Sequence, residues 1–203
     1  MKVDFKKTLP SYSAKAGKID LVDIPSIRYL AVDAEGEPET SDSFHQAIGV
    51  LYPLAYTLKF ASKLDLDRDY SVMPLEALWW ADDMDVFSTS RDKEAWHSTV
   101  LMMIPEWITP EKVDTAKRKV ASKVSAEQLG RVRVLDLVEG QCAQTLHVGS
   151  FEEEGPTVEA MHAFIEERGL VRSGKHHEIY LSDPRRVEPA KYRTILRQPV
   201  SPA

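Results

Sequence analysis

Two stretches of this chain, about a hundred residues apart, repeat the same order of apolar and polar positions. Residues 27–105 begin with the apolar run Ile27–Val32, and residues 142–199 begin with Cys142–Val148. Short apolar runs of this kind predict strands. In both stretches an acidic turn with glycine and proline follows. After it, apolar residues recur at three- and four-residue steps, which predicts an amphipathic helix.

The helix of the first stretch is predicted over residues 42–62, with a cap at Thr40 or Ser41. Pro53 lies inside it and removes one backbone hydrogen bond, so a kink is expected there. The helix of the second stretch follows the acidic run Glu152–Glu154, and carboxylates are favourable at a helix N-terminus.

Two further strands close each stretch, at residues 70–80 and 97–104 in the first and at 176–181 and 192–197 in the second. The repeat therefore predicts an α+β fold of duplicated strand–helix–strand–strand modules with pseudo-twofold symmetry. We expect an antiparallel sheet with helices on one face and a ligand groove on the other. A single domain over residues 1–203 would then consist of an N-terminal arm (1–25), a first module (26–108), a linking helix and strand (109–137) and a second module (138–200).

Each module carries one glutamate in an otherwise apolar strand, and side chains of a strand alternate between its two faces. In the second module Ile179 and Leu181 share a face that we expect to pack against the helix, so that Glu178 faces the groove. In the first module Glu76 and Trp80 are expected on the groove face as well. Glu76 and Glu178 would then hold equivalent places in the repeat.

Near a pseudo-twofold axis the two glutamates would meet in one cleft, whose expected walls are Trp80, Tyr180 and Trp107. A carboxylate among aromatic rings is poorly solvated, so its pKa should rise, and two facing carboxylates could share a proton. Such a group can act as an acid or base near neutral pH. Alternatively, the negative charge and the ring faces would attract a lipophilic cation or a flat polar molecule. The competing interpretation is that each glutamate is an exposed strand residue beside ordinary core aromatics.

Composition narrows the function further. The net charge is −6 and no long basic block is present, which disfavours direct binding of nucleic acid. No run of 18 apolar residues predicts a membrane helix, and no secretory signal pattern is evident, so a cytoplasmic location is expected. With one cysteine, no glycine-rich phosphate loop, and His176 and His177 pointing to opposite faces of a strand, we expect neither a cofactor nor a metal.

Three segments resemble a known family, and they occur in the same order. They are Leu51–Lys59, Pro74–Trp80 and Gly174–Pro184, and they are similar to the stand-alone GyrI-like small-molecule-binding proteins. The resemblance extends from about Phe5 to Pro199. It implies two strand–helix–strand–strand modules related by a pseudo-twofold, with a ligand groove between them.

The resemblance also implies functions. Related domains form the effector-binding half of multidrug-responsive transcription regulators, in which a buried glutamate of a Glu-x-Tyr strand receives cationic or aromatic drugs; here that position is Glu178. Residues 1–25 are too short for a helix-turn-helix, so direct gene regulation is not expected. Some stand-alone members are hydrolases of cyclopropane-bearing DNA-alkylating natural products. By resemblance Glu178 would position or activate water, Tyr180 would donate a hydrogen bond, and Trp80 and Trp107 would sandwich the substrate.

Three functions follow as hypotheses. The first is a module that binds flat hydrophobic or cationic small molecules, such as drugs or toxins, in an acidic aromatic groove. The second is a hydrolase that opens a strained ring in the same groove, and the third is a protein inhibitor of a partner such as DNA gyrase. We expect a small-molecule ligand and a monomer or homodimer. The candidate catalytic residues are Glu178 and Tyr180, and the candidate ligand-binding residues are Glu76, Trp80, Trp107, Tyr56 and His176.

Overall fold

The computed structural model describes residues 2–81 and 96–203, and within it the chain divides into two compact units. Unit 1 comprises Met1–Phe5 and Ile27–Leu137, and unit 2 comprises Lys6–Ser26 and Val138–Ala203. In chain order the elements are α1 (Phe5–Thr8), β1 (Asp20–Ile24), β2 (Ile27–Glu35), α2 (Asp42–Asp65), β3 (Leu75–Trp80), β4 (His97–Met103), α3 (Pro110–Val120), α4 (Ala126–Arg131), β5 (Arg133–Leu137), β6 (Gly140–Val148), α5 (Gly155–Glu166), β7 (Leu170–Arg172), β8 (His176–Tyr180) and β9 (Arg193–Pro202).

Unit 1 contains four antiparallel strands in the order β5-β2-β4-β3. The long helix α2 packs on one face of them, where Phe44 stacks on Trp79 with ring centroids 5.7 Å apart. Since Trp79 and Glu76 have opposite strand parity, Glu76 lies on the face away from α2. Glu76 therefore lies on the side of β3 away from the helix, as expected, while a ligand groove on that side stays a prediction.

Local sequence explains why α2 begins where it does. The Ser41 side chain accepts a hydrogen bond from the backbone N–H of Phe44, which satisfies one of the donors left open at a helix N-terminus. Leu51, Leu54 and Leu58 are buried along one stripe of the helix. The helix continues through Pro53 without a break, so the predicted helix is confirmed over its whole length and extends to Asp65.

Unit 2 contains the antiparallel strands β1-β6-β9-β8, and β7 also pairs with β9. Helix α5 packs on one face through a core of fully or nearly fully buried residues. That core consists of Ala143, Met161, Ile165, Leu196 and Val200. Leu196 of β9 therefore lies on the sheet face that packs against α5.

The opposite face of the unit 2 sheet is covered by the N-terminal arm through a buried polar network. The Arg197 side chain, 1% exposed, donates to Glu139 Oε2 at 2.7 Å and to the Ser11 carbonyl oxygen at 2.6 Å. His177 Nδ1 lies 2.9 Å from Glu139 Oε1. Gln144 accepts from Arg197 Nε at 2.8 Å and donates to the Ser13 carbonyl oxygen at 3.1 Å. This network fixes the arm on the sheet.

Strand pairing corrects the face that was expected for Glu178. In the register of β8 with β9, Glu178 lies opposite Leu196 and Tyr180 lies opposite Thr194. Residues opposite each other in an antiparallel pair share a face, so Glu178 lies on the face that carries α5. His177 and Ile179 point to the arm side instead. The expectation that Ile179 packs on the helix was wrong, because Ile179 shares the strand face of His177, which contacts the buried Glu139.

Glu76 and Glu178 therefore lie on different kinds of face. Glu76 is on the helix-free face of its unit, and Glu178 is on the helix-bearing face of its own. The equivalence of the two positions within a repeat is not supported. The α+β class and the antiparallel sheets with helices are confirmed, while the pseudo-twofold relation stays a prediction.

Some elements of the structure were not predicted from the sequence. The expected arm contains β1, which pairs with β6, and residues 109–137, expected as a link, belong to unit 1. Helix α4 and the three-residue strand β7 were not predicted. Among the described residues no helix combines the length and the apolar character that crossing a bilayer requires.

We predict that Arg197→Ala lowers the free energy of unfolding by about 3–5 kcal/mol, because Glu139 would keep a buried charge without its cation. Burial alone would raise the pKa of Glu139, but the His177 and Arg197 charges and hydrogen bonds lower it to about 2. The ionised Glu139 therefore stabilises the folded state fully above the ordinary pKa of 4.5, and this stabilisation is lost as the pH falls toward 2.

Urea unfolding of the wild type and the variant, at pH 7 and at pH 3, measures the difference. Arg193→Ala replaces an exposed arginine of the same strand and is the matched control, with an expected change within about 0.5 kcal/mol. A loss below about 1 kcal/mol for Arg197→Ala at pH 7 would contradict the role given to the network.

Candidate functional site

The carboxyl group of Glu178 forms the centre of a polar cluster on the α5 face of unit 2. The Tyr180 hydroxyl donates to Glu178 Oε2 at 2.7 Å, as two residues of one parity on a strand can do. His176, of the same parity, places Nε2 3.6 Å from Glu178 Oε1. The side chains of His176 and Glu178 are 15% and 16% exposed, so the cluster is accessible but poorly hydrated.

His176 contributes a neutral ring to this cluster. Burial, and then the charges of His162 and His177, lower the pKa of His176 to about 3, while a hydrogen bond with Gln198 opposes the shift. At neutral pH the ring is uncharged. Its contact with Glu178 is therefore not an ion pair, and it leaves the carboxylate charge uncompensated by His176.

A second carboxyl group, that of Glu154, is buried beside the first. Glu154 precedes α5 and is 7% exposed. Burial first, and the Glu178 charge second, raise the pKa of Glu154 to about 9, and a side-chain hydrogen bond with Thr194 opposes this rise. Because of the raised pKa, Glu154 is protonated at neutral pH. The two carboxyl groups of the site therefore differ in their environments.

The turn that presents Glu154 is held by polar contacts with β6. His147 Nδ1 lies 3.1 Å from Thr157 Oγ1 and its Nε2 lies 3.1 Å from the Ser150 carbonyl oxygen. Gly149, at φ +148°, lies against this ring, and a Cβ there would come within 3.0 Å of His147 Nε2. A side chain at Gly149 would therefore disturb the turn that carries Glu154.

Aromatic rings flank the cluster. Phe151, in the turn before α5, makes an edge contact with Tyr180 at a centroid distance of 5.6 Å and packs on Tyr192 at 5.3 Å. Phe151 is 38% exposed. The carboxylate thus lies beside rings that a ligand can reach, and such a combination favours cations and flat aromatic molecules.

The arrangement offers one proton acceptor, one neutral carboxylic acid and one phenol within a single cluster. Glu178 can accept a proton or balance a positive charge, and Glu154 can give up a proton. Tyr180 orients Glu178 by its hydrogen bond. A carboxyl group that stays neutral beside one that bears charge is the pattern of paired acid and base groups.

Unit 1 holds the remaining predicted residues. Glu76 is fully buried and accepts a hydrogen bond from the Tyr29 hydroxyl at 3.1 Å. Trp80 stacks on His97, its partner across β3 and β4, with centroids 5.8 Å apart. That Glu76 and Glu178 meet in one cleft stays a prediction.

Trp107 and Tyr56 have other surroundings in unit 1. Trp107 Nε1 donates to Ser62 Oγ at 2.9 Å, and its ring packs against Phe5 and Tyr70. It anchors the C-terminal end of α2, where Ser62 in turn donates to the Arg68 carbonyl oxygen. Tyr56 is half exposed on α2. Among the described residues, neither Trp107 nor Tyr56 is hydrogen-bonded to Glu76.

Sequence reasoning missed Glu154, Phe151 and Tyr192. The acidic run before α5 was interpreted only as favourable to a helix N-terminus. The sequence did contain a signal for Glu154. This residue directly precedes Gly155-Pro156, where the helix starts, so the Glu154 side chain must point either to solvent or to the sheet. In the part of the chain that the structure describes, no three metal-ligating side chains come together.

We predict that Glu154→Gln makes the protein more stable than the wild type at alkaline pH. The unfolded carboxyl group ionises near its ordinary pKa of 4.5 and the folded one near 9. The wild type therefore loses stability relative to the variant as the pH rises from 4.5 to 9, by at most about 1.4 kcal/mol per pH unit.

Urea unfolding at pH 5, 7 and 8.5 measures the gap. Glu152→Gln, an exposed residue of the same turn, is the control and should show no such trend. A gap that does not widen with pH would contradict the assignment of a buried, neutral Glu154.

Comparison with known proteins agrees with the fold described above. Residues 17–201 match the family model of the GyrI-like small molecule binding domain. A crystal structure of an uncharacterized conserved protein from Listeria innocua is 38% identical, with a TM-score of 0.89, over 98% of this chain and 100% of that one. A second Listeria innocua structure, described as a hydrolase, is 37% identical with a TM-score of 0.85, over 98% of this chain and 100% of that one.

The C-terminal domain of EcmrR shares the fold at 10% identity and a TM-score of 0.55, over 92% of this chain and 98% of that domain. Curated protein sequences gave no match. The family model covers most of the chain and two structures align over nearly all of it. The chain therefore belongs to the family of GyrI-like small-molecule-binding domains.

Proposed function

We propose that the protein binds flat hydrophobic or cationic small molecules at the cluster around Glu178. The observation that carries this proposal is the Glu178 carboxylate, held by Tyr180 at 2.7 Å in a poorly hydrated but accessible place beside exposed aromatic surface. Membership in a small-molecule-binding family supports it. A cytoplasmic location, and a role as inhibitor of a partner, stay predictions from the sequence.

The physical reason for a preference for cations is partial dehydration. A carboxylate that is 16% exposed has lost most of its water and interacts more strongly with a nearby charge than a surface carboxylate does. A ring face near a cation adds about 0.5–2 kcal/mol. Such rings are present in Tyr180, Tyr192 and Phe151. A flat cationic ligand can therefore place its charge near Glu178 and stack on a ring at the same time.

We predict that Glu178→Gln weakens binding of the flat monocation ethidium by tenfold or more, roughly the loss of one charged contact of about 1.5–3 kcal/mol. Binding of the uncharged phenanthridine ring, which has the same core, should change less than about threefold, since it makes no charge contact. Fluorescence and calorimetric titrations at pH 7.5 give both affinities.

Glu167→Gln, which removes an exposed carboxylate just after α5, is the matched control and should leave both affinities unchanged. If both substitutions weaken the binding of ethidium equally, the effect comes from the net charge of the protein and not from Glu178. An unchanged affinity in Glu178→Gln would refute the role of Glu178.

A second function, hydrolysis of a strained ring, is favoured by the neutral Glu154 beside Glu178 and by a 37% identical relative described as a hydrolase. The substrate would be a cyclopropane conjugated to a carbonyl group. Glu178 takes a proton from water, whose oxygen bonds to a ring carbon. One ring C–C bond breaks, and its electron pair moves into the conjugated carbonyl, whose oxygen takes the proton of Glu154. Exchange with solvent then restores both carboxyl groups.

We predict that the wild type converts such a compound to a product heavier by one water, measured by mass spectrometry. Glu178→Gln should abolish turnover, and Tyr180→Phe should lower kcat by about 10–100-fold, because the carboxylate loses the donor that orients it. The Glu167→Gln variant again serves as control. Binding of the compound without any product in the wild type would refute the hydrolase for that substrate and leave the binding function intact.

A further inference from the structure

Glu154 has no evident structural task, although it is buried. It occupies the N-cap position of α5, yet its side chain makes no capping hydrogen bond. It is 7% exposed, and its Oε1 has no hydrogen-bond partner among the described residues. An unsatisfied buried polar group destabilises the fold, by about 1–3 kcal/mol. A glutamine or an apolar residue would fill the place at lower cost, so the carboxyl group itself calls for an explanation.

Among the described residues, the charge that acts on the pKa of Glu154 is that of Glu178. The turn of Glu154 contains Glu153, whose carboxylate accepts from the backbone N–H and the hydroxyl of Ser150 at 3.1 and 3.0 Å. On β6, both ring nitrogens of His147 are engaged by Thr157 and the Ser150 carbonyl.

The strands β9 and β8 complete these surroundings. Thr194 of β9 lies opposite Tyr180, and its hydroxyl lies beside Glu154, where a hydrogen bond to the carboxyl group opposes the rise of the Glu154 pKa. On β8, His176 is neutral at pH 7 and Glu178 carries the negative charge that bears on Glu154. The unsatisfied Oε1 of Glu154, with the Thr194 hydroxyl beside the same carboxyl group, therefore borders the Glu178 cluster.

We propose that Glu154 is a second, charge-matching carboxyl group of this site: it keeps its proton when a neutral or singly charged molecule binds at Glu178 and releases the proton when a doubly charged cation binds. The inference rests on the proposed binding function. The ligand class that it adds is flat dications. Glu178 balances the first positive charge, and Glu154, with the Thr194 hydroxyl beside it to stabilise its ionised form, balances the second.

Linkage gives this proposal a measurable form. If binding releases one proton, the logarithm of the association constant rises by one for each pH unit, as long as the free site holds that proton. The affinity for a dication should therefore rise about tenfold per pH unit between pH 6 and 8. The affinity for a monocation should stay nearly constant over the same range, since Glu154 is protonated before and after binding.

Ethidium and propidium test this, because they share the phenanthridinium ring and propidium carries one additional quaternary ammonium group. Calorimetry at pH 7 in phosphate and in Tris, whose ionisation enthalpies differ, counts the protons released. We expect about one proton for propidium and close to none for ethidium. In Glu154→Gln the propidium proton should disappear, and the ratio of propidium to ethidium affinity should fall about tenfold at pH 8. Glu167→Gln should preserve the wild-type pattern.

The outcomes separate the two proposals. If ethidium and propidium both fail to bind the wild type, the proposed function is refuted and this inference with it. If ethidium binds but propidium does not, or if the two dyes release equal numbers of protons and Glu154→Gln changes both affinities alike, this inference is refuted while the binding function stands. Near-UV circular dichroism of Glu154→Gln, compared with the wild type, identifies a folding defect. If that variant is misfolded, the proton counts and pH slopes of the two dyes in the wild type alone decide the inference.

Discussion

The buried contact between Arg197 and Glu139 is the interaction on which the arrangement of unit 2 depends. It brings together a strand residue, the residue just before β6 and, through the Ser11 carbonyl, the N-terminal arm. A guanidinium group that is 1% exposed is tolerated only where its donors are satisfied, and here Gln144 takes a further one. The arm is therefore held against the sheet by polar contacts that require its backbone at one place, whereas apolar contacts alone would permit it to slide.

This constraint decides what the two faces of β8 do. His177 and Ile179 are buried on the face that carries the Glu139–Arg197 contact, so Glu178 and Tyr180 must share the face of α5. The helix does not cover them completely, since the α5 core is centred on Leu196 and the turn before α5 presents Phe151 and Glu154 instead. The candidate site is thus the part of the helix-bearing face that is covered by the turn before α5 and not by α5 itself.

The sequence was a good guide to the elements and a poorer one to the faces. The stripe of α2, with its cap at Ser41, and the apolar runs of β2, β6 and β9 predicted strands and helices close to their observed bounds, because local periodicity carries that information. Ile179 misled the choice of face because the buried side of β8 belongs to the face of the Arg197 network and not to the face of α5. The arm that contacts this network is remote in sequence. Glu154 was missed for a similar reason: no spacing relates it to Glu178, and only the turn after β6 brings the two together.

The same geometry explains how one small cluster could serve both binding and hydrolysis. Two carboxylates of equal exposure would repel each other, and a ligand would meet either two charges or an ill-defined shared proton. Here Glu178 keeps a hydrogen-bond donor in Tyr180, while Glu154 has lost its water and finds no partner for Oε1 among the described residues. The burial of Glu154 therefore keeps a proton beside a charged acceptor. In the proposed binding function this proton leaves when a second positive charge arrives. In the proposed hydrolysis it moves to an oxygen on which negative charge develops, so both proposals use the same two carboxyl groups.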